Sequence, residues 1–94
     1  MAKKVVKSSG NVFLDLGFAP HEASVMLLRG QLAEALRAWM EREELTQAQA
    51  AKRLDIAQPR VSDIVRNKVE LMSLDYLVGL CAKAKVDVGL KLAA

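Results

Sequence analysis

The sequence holds one cysteine and one histidine, and its aromatic residues are two phenylalanines, one tryptophan and one tyrosine. A single thiol, Cys81, cannot staple a monomer, and its place inside an apolar periodic stretch reads as a buried core position. His21 has no cysteine or carboxylate at ligand spacing and reads as a surface residue of a first helical turn, so no metal or other cofactor is expected. Phe13, Phe18, Trp39 and Tyr76 are too few for a stacking platform that would grip single-stranded nucleic acid. No apolar run approaches the length of a membrane span, and no segment joins a basic start to an apolar core. The expected location is therefore the cytoplasm, with no membrane partner. No nucleophile–base pair, paired carboxylates or phosphate-cradling glycine loop occurs at usable spacing, so a binding protein is expected and not an enzyme.

What is present suits one compact domain: 94 residues, 52% of them hydrophobic. The formal charge of +3 is modest, but it is unevenly placed. Lys3, Lys4 and Lys7 sit in the first nine residues, whereas residues 31–45 are acidic through Glu34, Glu41, Glu43 and Glu44. Residues 46–68 are basic again, with Lys52, Arg53, Arg60, Arg66 and Lys68 against Asp55 and Asp63. A concentrated basic stretch of this kind suits a polyanion better than the global value does.

Residues 1–11 lack a core pattern and read as a flexible basic arm. An apolar cluster follows at Val12, Phe13, Leu14, Leu16 and Phe18. Pro20 suits the first position of a helix whose apolar face is Val25, Leu28, Leu32, Leu36 and Trp39, ending near Glu43 or Glu44. Gly30 within it marks a kink or a close helix contact. Thr46 and Gln49 form a capping box that opens a short helix with Ala50, Ala51 and Leu54 inside. Asp55, Ile56 and Ala57 allow only a tight turn before another helix begins near Pro59, with Val61, Ile64 and Val65 as its apolar face. Ser73 is placed to cap a last helix with Leu74, Leu77, Val78 and Cys81 inward, Met72 and Leu77 forming a hydrophobic staple. Val86, Val88, Leu90 and Leu92 then alternate with polar residues or glycine, the period of a strand. One strand alone is unstable, so residues 86–94 are expected to pair across a dimer interface.

Two short helices joined by so tight a turn cross steeply and leave the second protruding. With Val61, Ile64 and Val65 inward, Gln58, Arg60, Ser62, Asp63 and Arg66 face outward. The run from Gln47 to Leu54 and from Ile56 to Ile64 resembles the Cro/repressor-type (XRE) helix-turn-helix family. The match rests on apolar Ala50, Leu54, Ile56, Val61 and Ile64, on small Ala51, and on a glutamine opening each helix. It covers roughly residues 31–85. Asp55 stands where the family usually has glycine in a left-handed backbone, and Ala57 replaces its usual serine or threonine cap. Residues 9–17 and the terminal alternation are similar to a subgroup that includes HigA-like antitoxins.

The resemblance implies an all-α, five-helix Cro/repressor-like bundle over residues 12–85, with its helix-turn-helix unit at 46–67. It implies a repressor or autorepressor that binds a palindromic operator in double-stranded DNA as a dimer. Gln47 would donate to a phosphate, and Gln58, beside Pro59, would address a base edge, adenine being the natural match for an amide. Arg60 would meet either a guanine or a phosphate. Ser62 and Asp63 would lie near bases, and Arg66, Asn67 and Lys68 would meet the DNA backbone. The subgroup resemblance implies an alternative: an antitoxin that neutralises a RelE/HigB-type ribonuclease toxin through the arm and the Val12–Phe18 cluster. That cluster serves equally well packed on its own bundle.

Overall fold

Each helix begins where the sequence supplies a cap or a proline. The computed structural model describes residues 11–92. Within them lie α1 (Val12–Asp15), α2 (Pro20–Arg42), α3 (Gln47–Leu54), α4 (Gln58–Val65) and α5 (Leu74–Lys83). The Asn11 side chain accepts from the Phe13 N–H at 2.9 Å, and Ser73 Oγ accepts from the Tyr76 N–H at 3.1 Å. Both halves of the expected box at α3 are made: Gln49 N–H donates to Thr46 Oγ1 at 3.1 Å, and Thr46 N–H donates to Gln49 Oε1 at 2.8 Å. α2 starts with Pro20, and Glu22 Oε1 accepts from the Ala19 N–H at 3.2 Å. Only α4 starts without a side-chain acceptor, because Ala57 has none to offer; Pro59 in its first turn supplies a preset φ instead.

The helix ends share one device. After α1 to α5 respectively, Gly17, Glu44, Asp55, Asn67 and Lys85 take positive φ. In each case the following N–H reaches back five residues: Phe18 to Phe13, Leu45 to Met40, Ile56 to Ala51, Lys68 to Asp63, Val86 to Cys81, at 2.7–3.0 Å. These are Schellman stops, which satisfy carbonyls that the helix leaves orphaned. The expected left-handed backbone at Asp55 is there, at φ 57 and ψ 49.

The core joins the C-terminal half of α2 to the three later helices. Ala33, Leu36 and Trp39 pack with Ala50, Ala51, Leu54, Val61, Ile64, Leu77, Leu80 and Cys81, and loop residues Val69 and Met72 close one end. Burial pushes the Cys81 thiol above its usual pKa, the state of an inert core sulfur. The N-terminal half of α2 buries only Ala23 and carries α1 alongside. There Asn11, the last residue of the expected arm, is built into the fold: its Nδ2 donates to the Ala23 carbonyl at 3.0 Å. Phe13 and Phe18 meet edge to face, 5.8 Å between centroids. Residues 1–10, the rest of that arm, lie outside the described residues.

Several expectations are corrected. Among the described residues there is no strand: Val86, Val88, Leu90 and Leu92 lie in irregular chain. A single chain offers this segment no ladder partner, and alternation alone does not make one. Val65 and Val78, expected inside, are 36% and 40% exposed, since neither α4 nor α5 is covered across its full apolar arc. Gly30 lies within an uninterrupted α2 and marks no close helix contact, because a Cβ built there would meet nothing within 4 Å.

Candidate nucleic-acid interface

The turn between α3 and α4 brings the starts of both helices to one surface. Gln47, Gln58, Pro59 and Ser62 line a single open depression there. Val61 and Ile64 lock α4 from beneath, at 0% and 1% exposure, so the opposite side of this helix must face solvent. Gln58, Pro59 and Arg60 are exposed, Gln47, Ser62 and Asp63 half-buried. The first turns of both helices contribute to this surface, and a helix start carries N–H groups without an intrahelical partner and a partial positive charge. Such a site favours phosphate.

The C-terminal end of α4 adds charge. Arg66 caps the helix, Asn67 makes the left-handed stop and Lys68 follows, all three exposed. Asp63 sits between two of the cations: its Oδ2 lies 3.1 Å from Arg60 Nη2 and its Oδ1 3.5 Å from Arg66 Nη2. The nine residues expected on the DNA face thus fall on the α3–α4 unit. The sequence reading missed the bridge made by Asp63, although charges at 60, 63 and 66 stand at the three-residue spacing of helix ion pairs.

Three other cations reach main-chain carbonyls of distant segments. Arg37 Nη1 donates to the Ile64 carbonyl at 2.9 Å, near the end of α4, and Lys83 Nζ donates to the Leu54 carbonyl at 3.1 Å, the last of α3. Arg29 Nε donates to the Met72 carbonyl at 2.7 Å. The helix-turn-helix unit is therefore tied by charged donors to α2 and α5 as well as by its apolar core. Nothing in the spacing of these residues announces such ties, because each spans 27 residues or more.

Beyond α5, Val86 is half-buried against the core. Val88, Leu90 and Leu92 are exposed. Val86, Val88 and Leu90 line an apolar groove with Leu28 and Leu32 of α2 and Leu74 and Val78 of α5. Among the described residues no cluster of His, Cys, Asp or Glu is arranged to hold a metal, and no helix is long and apolar enough to cross a membrane.

Two short helices at a tight turn, the second locked from below and basic above, define a helix-turn-helix DNA-binding domain. A protein-family model described as a helix-turn-helix domain matches residues 12–92, and the chain belongs to that family. No curated protein and no solved structure matches it. Membership gives the coarse function, DNA binding of the kind transcription regulators use.

Proposed function

We propose that the chain is a transcriptional repressor, acting on its own operon among others, that binds a palindromic operator through α4. The observation that carries this reading is the two-sidedness of α4, with Val61 and Ile64 sealed and Gln58, Arg60 and Arg66 presented. Gln58 lies in the first turn and addresses a base edge. Gln47, Arg66, Asn67 and Lys68 hold phosphates on either side. It is a binding protein without catalytic chemistry, and it works in the cytoplasm on the nucleoid.

One such helix, on a chain whose whole net charge is only +3, would bind weakly. The active species is a homodimer that sets two copies of α4 about 34 Å apart in successive major grooves. Val86, Val88, Leu90 and Leu92 form its seam. Gln58→Ala should cost about 1–3 kcal/mol of binding and relax choice at one base position, whereas Arg66→Ala should weaken binding and flatten the salt dependence without relaxing choice at any single base position. Both are read by titration on a duplex selected from a randomised pool and on a scrambled control. Equal loss on the two duplexes for Gln58→Ala defeats the base-reading role.

A second reading is favoured by the apolar surface at α1, where Leu16 is 69% exposed and Val12 55%. In it the chain is an antitoxin whose α1 region caps a RelE/HigB-type ribonuclease toxin. Stable co-purification with the product of a small basic reading frame beside its own gene, abolished by Leu16→Asp, is the result expected of that role.

A further inference from the structure

Asp63 poses a problem for a DNA-binding helix. A carboxylate on the presented side of α4 repels phosphate and subtracts a charge from a face with few to spare. Its environment suggests why it is there. The Asp63 side chain is 22% exposed while those of Arg60 and Arg66 are 53% and 57% exposed, so the carboxylate lies below the guanidinium groups. Each oxygen serves a different arginine, one turn before and one turn after. Exposed ion pairs of this geometry add little to folding, so stability does not explain the arrangement.

Two effects follow from it. A free arginine loses rotamer freedom when it docks, and one already drawn to a neighbouring carboxylate through one Nη loses less. The same two pairs must stretch or break if the arginines are to swing out to arbitrarily placed phosphates. A duplex whose groove matches the held positions is favoured, and one that requires them elsewhere is penalised.

We propose that Asp63 is a specificity-setting positioning residue of the DNA face, holding Arg60 and Arg66 for a matched duplex and withdrawing them from random phosphate. The inference rests on the DNA-binding reading of α4. It assigns Asp63 an action through the two arginines and no base contact of its own.

The test compares the full chain with Asp63→Asn and Asp63→Glu on two probes: the duplex that the unaltered protein selects from a randomised pool, and a scrambled duplex of equal composition. For Asp63→Asn, scrambled-duplex affinity should rise and its log–log salt slope steepen by about 1, as one more phosphate contact becomes available. Affinity for the selected duplex should not rise, so discrimination falls about tenfold. Asp63→Glu, which keeps the charge and reaches both arginines, should recover most of the discrimination, and it carries the test if the asparagine variant melts early. An equal rise on both probes, or no change on either, overturns the positioning role. So does a loss of discrimination confined to one base pair, which would mean direct contact. If the unaltered protein selects no duplex at all, the DNA reading beneath this inference fails with it, and the two failures are thereby told apart.

Discussion

The two halves of α2 live in different surroundings. From Ala33 onward the helix contributes Leu36 and Trp39 to a core shared with α3, α4 and α5. Before that it buries Ala23 alone, while Val12, Leu14, Leu16 and Phe18 beside it remain exposed. One end is held by fully buried apolar side chains, the other by half-buried Val25, Met26, Leu27 and Leu28 and by two polar ties, Asn11 to the Ala23 carbonyl and Arg29 to the Met72 carbonyl. A continuous helix can thus join a rigid unit to a loosely held one, and local stability should fall from one end to the other. The DNA face belongs to the rigid end.

The strongest test of that contrast is Leu54→Ala at the rigid end. Leu54 is 1% exposed, and its truncation should cost about 2–5 kcal/mol in urea or thermal unfolding, with DNA binding lost at the same temperature. At the other end, Asn11→Ala removes a cap and a buried donor together and should cost about 1–2 kcal/mol. Its signature is faster amide exchange confined to α1 and the first turns of α2, at unchanged DNA affinity. A fall in affinity would show that the halves behave as one unit. Gly30→Ala, where the new methyl meets open space, should stabilise by about 1 kcal/mol and stiffen the link between the halves. The smallest change expected is from Asp55→Gly, which relieves a left-handed aspartate and should raise the melting free energy by about 0.5 kcal/mol.

The same division governs how much could be read from the residues alone. The α3–α4 unit was legible because every level agreed there. Thr46 and Gln49 mark the start, Ala50, Leu54, Val61 and Ile64 keep helical spacing, and the turn between them is too short for anything else. The exposed side of α4 was legible by elimination, since burying one side of the helix exposes the other. The tail was not legible, because alternation at Val86, Val88, Leu90 and Leu92 records a pattern of faces but not the presence of a partner. Some helix stops were hard to see for a different reason. The ends near Glu44 and Asp55 were anticipated from where the apolar pattern stops and from the family resemblance, but Asn67 and Lys85 take the left-handed role that glycine commonly fills, and a search for glycine passes over them. The overestimated inward faces at Val65 and Val78 have a simpler cause: periodicity tells which residues share a side, not how wide a neighbour covers it.

The inward ties of Arg29, Arg37 and Lys83 bear on how the molecule's electricity should be counted. These three cations each donate to a main-chain carbonyl, so they keep their charge while their side chains are engaged in holding the fold. Neutralising basic residues one by one should sort them into two groups. Loss of Arg29, Arg37 or Lys83 lowers the melting temperature, and loss of Arg60, Arg66 or Lys68 alters the response to salt. What looks in the composition like a single pool of charge is two populations, one serving as internal fastening and the other as outward address.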